Sequence, residues 1–406
     1  MNIVEKYGGT SVGTIEQITA IAQHVKEMKE EGHQLVVVAS AMGKTTNQLI
    51  VMANQISDRV NKRELDSLLS TGEQRTVTLL AMAIDALGIP AISLTGYQCG
   101  FITSHHHAHA RIKDINIDNL KRHLDEGKVV VVAGFQGATE NGEITTLGRG
   151  GSDDGTDRSR PGLAACRLDA GQDATSTPDV NGVYTIDPRL YRHARLLKEI
   201  TYNEMMQMAC LGAGVLETRS VELASKYNVP LFLGRALEKD KSRGTWIMEQ
   251  TRHLEDMPIT GISIKEDYAI MRVNDLPTDG VFIGKLFQLI AEMNINLDTI
   301  SQQLSEEGRV NFSFYCSEEQ SDQILENTDR LGSEYPIHRM LGFIKLSVIG
   351  VGISTHSGIA SKVLNTLNAN GIRYYMITSS EISISLTIEK KDKEKAVEVL
   401  GKAFDL

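Results

Sequence analysis

The sequence is poor in cysteine, with 4 in 406 residues. They stand far apart, at Cys99, Cys166, Cys210 and Cys316, and no two of them have the CxxC spacing. This scatter excludes a disulfide scaffold and a cysteine-based zinc site, and it is typical of a reduced compartment. We therefore expect the chain to act in the cytoplasm.

The sequence also lacks a basic excess and long apolar runs. Its formal net charge of -10 argues against a nucleic-acid partner, because nucleic acids attract basic surfaces. No run is apolar enough to span a bilayer and the N-terminus has no leader pattern, so no membrane partner is expected. The histidines at 105–107 and 109 have no supporting carboxylate or cysteine spacing, which predicts an exposed polar loop and no metal site.

The first half of the chain alternates between strand-like and helix-like segments. Gln34 to Ala39 and Val129 to Gly134 are short β-branched runs, typical of buried parallel strands. Helix-like stretches, Ile15 to Glu31 and Arg75 to Leu87, lie around them. The pattern predicts an α/β domain over residues 1–250 with ligands at the loops that follow the strands. The polar stretch Glu238 to Arg252 marks its end.

The rest of the chain contains an internal repeat. The copies begin at Tyr268 and Ile344, and each reads strand, helix, strand, strand, helix, strand, as in ferredoxin-like α+β domains. We place the two domains at 262–335 and 340–406. A pair of such small modules is more typical of a sensor or a dimerisation unit than of a catalytic unit.

Lys6 to Ser11 (KYGGTS) follows the first predicted strand. Adjacent glycines let backbone N–H groups approach an anion closely, and Lys6 adds a mobile cation for phosphate oxygens. A plain strand–helix turn is the alternative interpretation.

Gly43 to Thr45 (GKT) resembles the end of a P-loop. Val38 stands where that motif requires glycine, so a Walker-type site is excluded. The hydroxyls of Ser40 and Thr45 follow the second predicted strand and remain candidate ligand contacts.

A second glycine-rich loop spans Leu147 to Asp153 (LGRGGSD). Arg149 can hold a carboxylate with its guanidinium fork, and the N–H groups of Gly150 and Gly151 can bind a transferring phosphoryl group. Asp153 can organise Lys6 or Mg²⁺. Such a cluster favours a functional role over a plain turn.

Two further segments have both a structural and a functional interpretation. Thr71 to Arg75 (TGEQR) reads as a helix start, where Glu73 is either a charge favoured by the helix dipole or a ligand for a substrate ammonium group. Asp179 to Arg189 contains an Asn-Gly pair that predicts a hairpin. Tyr184 can pack on a nucleotide and Arg189 can reach its phosphates, although composition alone favours a structural hairpin.

Together these segments resemble the aspartate kinase family, in its short Gram-positive form, across nearly the whole chain. The matching stretches, in the family's order, are KYGGTSV at 6–12, VVVASAM at 36–42, GEQ at 72–74, VAGFQG at 132–137, TTLGRGGSD at 145–153 and DVNGVYTIDPR at 179–189. The resemblance implies an amino-acid kinase fold, a three-layer α/β/α sandwich with a mostly parallel sheet, followed by two ferredoxin-like ACT domains. It implies phosphoryl transfer from ATP, with Mg²⁺, to L-aspartate, giving 4-phospho-L-aspartate and ADP. This reaction opens lysine, threonine and methionine biosynthesis.

The resemblance also implies residue roles. Lys6 and Asp153 would be catalytic, with Asp153 orienting the lysine. The implied ATP contacts are Lys6, Tyr7, Gly8, Gly9, Asp179, Tyr184 and Arg189. The family places aspartate against Thr45, Glu73, Arg149 and Ser152, and with Ser40, Gly150 and Gly151 these form our predicted substrate-binding set. Because the reaction adds charge to an anionic carboxylate, cations and N–H groups should matter more than a general base.

The ACT pair implies feedback regulation by lysine, threonine or both. The predicted effector contacts are Asp275, Asp279, Gln302, Thr378 and Glu381. The family also implies a homo-oligomer formed through ACT domains. A separate small subunit, started internally at Met248 or Met257, is a hypothesis.

Residues 154–178 depart from the family pattern, which has an alanine-rich helix and then a strand here. Pro161 and the Gly/Asp content argue against a continuous helix, and the β-rich strand is missing from the sequence. The departure supports an alternative function, a catalytically impaired regulatory paralogue that binds lysine or threonine through its ACT domains. The intact Lys6, Glu73 and 149–153 set favours an active kinase. A glutamate or carbamate kinase fits the core fold but not the paired repeat.

Overall fold

The computed structural model describes residues 2–57, 59–147, 174–177, 181–238, 240–251, 258–293, 295–305, 308–331 and 335–406. The chain forms two compact units. The first comprises Met1–Thr185, Arg195–Cys210 and Gly214–Asp256, and the second comprises Ile186–Ala194, Leu211–Ala213 and Met257–Leu406.

The first unit alternates strands and helices along the chain. Its described strands are β1 Asn2–Tyr7, β2 Gln34–Ala39, β3 Ala91–Leu94, β4 Phe101–Thr103, β5 Ile112–Ile115, β6 Val129–Ala133, β7 Gln136–Ala138, β8 Ile144–Thr146, β9 Ala174–Thr177, β10 Glu199–Thr201, β11 Leu231–Leu233 and β12 Thr245–Met248. Its described α-helices are α1 Ile15–Glu30, α2 Thr45–Ile56, α3 Lys62–Asp85, α4 Asp118–Asp125, α5 Tyr202–Met208 and α6 Thr218–Lys226.

The main sheet of this unit has the strand order β10-β12-β11-β9-β1-β2-β6-β3. Neighbouring strands are parallel except β11 and β12. One side of β1, β2 and β6 packs against α1 and α3 in an apolar core that includes Leu35, Val37 and Val131. The predicted α/β class with a mostly parallel sheet is confirmed, because the β-branched runs lie in the middle of the sheet, where both faces are covered.

Strand β9 corrects one expectation from the sequence. The β-rich strand of the family is missing between 154 and 178, yet Ala174–Thr177 forms a strand between β1 and β11. Its register pairs Val4 with Ala174 and Tyr7 with Thr177. The backbone supplies these ladder hydrogen bonds, so a segment without large apolar residues still completes the sheet.

Helix α3 is longer than the sequence predicted. It begins after Asn61, whose side chain accepts from the N–H of Arg63 at 3.0 Å. Thr71 to Arg75, read as a helix start, lies in its middle. Gly72 is retained there because a Cβ at this position would lie 2.9 Å from the Cβ of Ala41. A glycine inside the helix therefore marks close packing and not a boundary.

A small sheet, β5-β4-β7-β8, adjoins the main one. Thr103 Oγ1 and Thr145 Oγ1 share a buried hydrogen bond of 2.7 Å within it. Strand β8 lies against α3, so the chain approaches residue 147 from beside that helix.

The second unit contains the predicted repeat. Its described strands are β13 Gly261–Lys265, β14 Ala269–Leu276, β15 Ile300–Leu304, β16 Val310–Cys316, β17 Ile337–Met340, β18 Phe343–Ile349, β19 Tyr374–Ser379 and β20 Ser383–Glu389. Its described α-helices are α7 Val281–Glu292, α8 Glu318–Glu326, α9 Gly352–Thr355, α10 Ile359–Ala369 and α11 Lys393–Phe404.

Each repeat forms its own antiparallel sheet, ordered β15-β16-β14-β17 and β13-β18-β20-β19. The first has the predicted order of strands and helices. In the second, β13 pairs with β18, Gly261 opposite Ile349, although the limits of 262–335 assign this strand to the first domain. The second copy ends on a helix, and β13 supplies its fourth strand. The first sheet also extends beyond residue 335, because its strand β17 spans Ile337–Met340.

None of the described helices is long and apolar enough to cross a membrane.

Candidate active site

The ends of β1 and β2 meet at one edge of the main sheet. Lys6 lies opposite Val38, and the N–H of Ser40 donates to the carbonyl of Tyr7 at 3.1 Å. The N–H of Gly43 donates to the carbonyl of Gly9 at 2.8 Å. A Cβ at Gly9 would lie 2.7 Å from the carbonyl oxygen of Ala41. Only glycine therefore allows the two turns to pack this closely.

Lys6 is 5% exposed despite its charge. It lies at the head of a double-glycine turn, where backbone N–H groups and the start of a helix favour anions. Helix α1 begins shortly afterwards with a capping box between Thr14 and Gln17. The glycine turn, Lys6 and the start of α1 follow one another along the chain. This is the order expected of a phosphate-binding loop.

Tyr7 points the other way. Its ring is fully buried in the core beneath α1, and its hydroxyl donates to Glu5 Oε2 at 2.7 Å. Burial, together with the Glu5 carboxylate, raises the pKa of Tyr7 well above its usual value. Any contact of Tyr7 with ATP is therefore restricted to its main chain.

Helix α3 brings Glu73 to the same edge. Glu73 is 2% exposed, and its Oε1 accepts from the N–H of Ala41 at 3.3 Å. Ala41 lies between Ser40 and Thr45, two other predicted substrate contacts, in the loop from β2 to α2. The structure thus brings together Lys6, Ser40, Thr45 and Glu73, from three separate motifs of the sequence.

Arg75 is a site candidate that the sequence analysis missed. Its Nη2 donates to Thr45 Oγ1 at 2.6 Å, and this hydroxyl donates in turn to the carbonyl of Met42, also at 2.6 Å. The available signal was a cation two residues after Glu73. It was overlooked because the segment was interpreted as a helix start.

Asp66 was also missed. It is fully buried on α3, seven residues before Glu73 and therefore on the same side of the helix. It accepts from Thr146 Oγ1 at 2.5 Å and from the N–H of Ala108 at 2.9 Å, and it lies 3.1 Å from His107 Nδ1. Ala108 has a φ of 68°, a strained conformation for alanine that aims its N–H at the carboxylate.

These contacts connect α3 to the approach of the second glycine-rich loop. Thr146 ends β8, and the N–H of Leu147 donates to the carbonyl of Phe135 at 3.1 Å. His105, His106 and His109 are exposed, as expected of this loop, whereas His107 is half-buried. Across the residues that the structure describes, no group of three or more His, Cys, Asp or Glu side chains is arranged to hold a metal ion.

The predicted residues Arg149, Gly150, Gly151, Ser152, Asp153 and Asp179 lie outside the described residues. Tyr184 belongs to the first unit, where its hydroxyl accepts from Asn181 Nδ2 at 3.3 Å. The hairpin predicted at Asn181-Gly182 depends in part on residues 178–180, which lie outside the described residues; from 181 to 198 the structure describes one bridge, Tyr184 with Leu196.

Arg189 belongs to the second unit. Its exposed guanidinium donates to Asp187 at 2.7 Å. Burial alone would raise the pKa of Asp187, but the hydrogen bonds from Arg189 hold that pKa below its usual value. The contact of Arg189 with nucleotide stays a prediction.

The predicted effector residues are divided between the two sheets of the second unit. Asp275 has a φ of 61° and its carboxylate pairs with Arg309, while Asp279 Oδ1 accepts from the N–H of Val281 at 3.0 Å. Gln302 lies on edge strand β15. Two more residues, Thr378 on edge strand β19 and Glu381 in the turn after it, belong to the other sheet.

Comparisons with known proteins identify this architecture. The amino acid kinase family matches residues 1–235, and an ACT domain matches residues 346–404. The aspartokinase of Bacillus sp. (strain MGA3) is 41% identical over 407 residues, and the aspartate kinase of Pseudomonas putida is 43% identical over 412. Each alignment covers 100% of this chain and 97% of the relative.

A solved structure, E. coli aspartokinase III in complex with aspartate and ADP, superposes over the full length of both chains. Its TM-score is 0.82 at 22% identity, which shows a shared fold. With an amino-acid kinase unit, a paired repeat and full-length relatives above 40% identity, the chain belongs to the aspartokinase family of phosphotransferases.

Proposed function

We propose that this chain phosphorylates L-aspartate on its side-chain carboxylate with Mg²⁺-ATP, at the edge formed by β1, β2 and α3. One observation carries the residue assignment: Lys6, Ser40, Thr45 and Glu73 come from separate motifs and converge on one pair of tight turns. This edge offers a buried cation, N–H groups and a buried carboxylate, which suit a phosphoryl donor and an amino acid.

In this proposal the turn at Gly8 and Gly9 receives the ATP phosphates, and Lys6 stabilises charge on the transferred group. Mg²⁺ keeps most of its ligands from phosphate and water, so the lack of a carboxylate cage among the described residues is compatible with it. The metal neutralises phosphate charge when it is bound with the nucleotide.

Glu73 would hold the ammonium group of aspartate, because a buried carboxylate is stabilised by a cation. Arg149 would take the α-carboxylate of aspartate and Asp153 would orient Lys6, as the family resemblance implies. Tyr184, Asp179 and Arg189 would contact the nucleotide.

For the second unit we propose effector binding by lysine or threonine at Asp275, Asp279, Gln302, Thr378 and Glu381. We also propose a homo-oligomer formed through this unit and activity in the cytoplasm. A ligand inhibits from such a site only if it binds the less active state more tightly. The alternative of a catalytically impaired paralogue is not favoured, because the full-length relatives are kinases and β9 is in place.

Release of ADP, measured with the full chain, tests the function. We expect turnover that requires aspartate and Mg²⁺-ATP, with glutamate a much poorer acceptor, and suppression by lysine or threonine. A folded protein that binds lysine or threonine and shows no aspartate-dependent ADP release would support the regulatory alternative instead.

A further inference from the structure

The hydroxyl of Thr45 is already engaged as a donor. A threonine hydroxyl has one proton, and here that proton is donated to the carbonyl of Met42 at 2.6 Å. A substrate carboxylate is only an acceptor. In this arrangement the Thr45 hydroxyl cannot donate a hydrogen bond to a substrate carboxylate. The Arg75 guanidinium, which donates to that hydroxyl at 2.6 Å, is a donor beside it that can.

Arg75 is placed as a ligand for an anion. It is exposed on α3, and in the described parts of the chain no carboxylate lies in ion-pair range of its guanidinium. Guanidinium has five N–H donors in a planar fork that matches a carboxylate, and the contact with Thr45 uses one. Gly72 allows this turn of the helix to pack closely against the loop that carries Ala41 and Thr45. A Cβ at position 72 would lie only 3.5 Å from Thr45 Cγ2.

The charges of aspartate suggest a role for the Arg75 guanidinium in the proposed site. Aspartate at neutral pH has two carboxylates and one ammonium group. The proposed function pairs the ammonium with Glu73 and one carboxylate with Arg149. The remaining carboxylate is the side-chain carboxylate that accepts the phosphoryl group, and a guanidinium beside it would offset its negative charge.

We propose that Arg75 is a specificity-determining residue that binds the second carboxylate of aspartate, with Thr45 holding its guanidinium in place. This inference rests on the proposed function and adds to it the residue that selects a dicarboxylic substrate. Thr45 thereby acts as a positioning residue for Arg75, and its contribution to substrate binding depends on that arginine.

Steady-state kinetics of three full-length variants test the assignment. R75M removes the charge and keeps the length, R75K keeps the charge without the fork, and K62M removes an exposed cation about 20 Å away on the same helix. We expect the KM for aspartate to rise about tenfold or more in R75M, to rise less in R75K, and to be unchanged in K62M. The KM for ATP should stay within twofold in all three.

A double-mutant cycle with T45V separates positioning from a general structural effect. If Thr45 acts through Arg75, T45V raises the KM for aspartate in the wild-type background and has no further effect in R75M. Equal effects of T45V in both backgrounds would show that Thr45 acts independently.

The outcomes distinguish this inference from the proposed function. A wild-type enzyme that turns over aspartate, together with an R75M variant whose KM for aspartate stays within threefold, overturns the role of Arg75 and leaves the function standing. A larger increase that is confined to aspartate supports it. Wild-type protein without aspartate-dependent turnover overturns both.

Discussion

The two units of the chain bury polar groups in different ways. In the first, Lys6, Asp66 and Glu73 are charged and at most 5% exposed, and they lie at one strand end or along α3. In the second, the sheet β13-β18-β20-β19 has one apolar face and one face of buried hydroxyls. The buried hydroxyl residues on β13, β18 and β20 are Ser263, Ser347, Ser383, Ser385 and Thr387.

The two units differ in where the partners of their buried polar groups come from. The hydroxyls of Ser347 and Ser385 share a hydrogen bond of 2.7 Å, whereas Ser263 Oγ is buried without a hydrogen-bond partner among the described residues. Where the second unit buries a charge, Lys345, it supplies the counter-charge itself, because Asp298 Oδ1 lies 2.8 Å away. In the first unit Asp66 is likewise satisfied by internal donors, whereas Lys6 and Glu73 lie beside glycine turns at a strand end, where a site for charged ligands is expected.

Removing Lys6 should have the largest effect. In K6M the transferred phosphoryl group loses its cation, so we expect kcat to fall by about 10²- to 10³-fold, while K62M retains full activity. ADP release at saturating aspartate and ATP measures this. A K6M enzyme with more than a tenth of the wild-type kcat would break the assignment of buried charge in the first unit to catalysis.

Replacing Asp66 should have the next largest effect, on stability. D66A removes the acceptor of the half-buried Ala108 N–H and of the buried Thr146 hydroxyl, which should cost about 3 kcal/mol. Thermal unfolding of D66A against E64A, an exposed acid on the same helix, measures it. If both variants unfold alike, the Asp66 network does not hold the first unit together.

Lys345 tests the second unit. Burial favours a raised pKa for Asp298, but the hydrogen bond from Lys345 and the charge of Lys265 hold that pKa below its usual value. A lowered folded-state pKa stabilises the protein above the unfolded pKa of about 3.9, and this stabilisation is lost as pH falls through the folded pKa. K345M should lower the unfolding free energy by about 2 kcal/mol at pH 7.

The same variant should flatten the dependence of stability on pH below about pH 4. K391M removes an exposed lysine that pairs with Glu389 and should leave the unfolding temperature unchanged. Calorimetric unfolding at pH 7 and across the acid range distinguishes the two variants. Identical behaviour of K345M and K391M would contradict a matched internal ion pair in the second unit.

The smallest expected effect is that of Y7F. Loss of the hydrogen bond to Glu5 should lower stability by about 1 kcal/mol, and the KM for ATP should stay within twofold because the hydroxyl lies in the core. A tenfold increase in the KM for ATP would place the Tyr7 side chain at the nucleotide after all.

Much of this fold could be predicted from local patterns. Gln34–Ala39 matches β2, and the run at 129–134 matches β6 to within one residue, because buried parallel strands are continuous apolar segments. The internal repeat predicted two ferredoxin-like sheets. It could not show that β13 joins the second sheet, since strand pairing over more than eighty residues leaves no local signal.

The site was only partly predictable for a related reason. Lys6 and Glu73 stand in recognisable motifs, so their chemistry could be inferred from neighbouring glycines. Asp66 and Arg75 depend on what α3 packs against. A carboxylate that bonds Ala108 and Thr146, or a guanidinium on Thr45, is defined by partners 30 to 80 residues away in sequence.

The central claim is that α3 supplies the amino-acid-binding side of the active site. The most direct test compares the KM for aspartate of the wild type and E73Q in the ADP-release assay. The account predicts turnover by the wild type and a KM for aspartate at least tenfold higher in E73Q, with the KM for ATP within twofold. An E73Q enzyme with a wild-type KM for aspartate would contradict it.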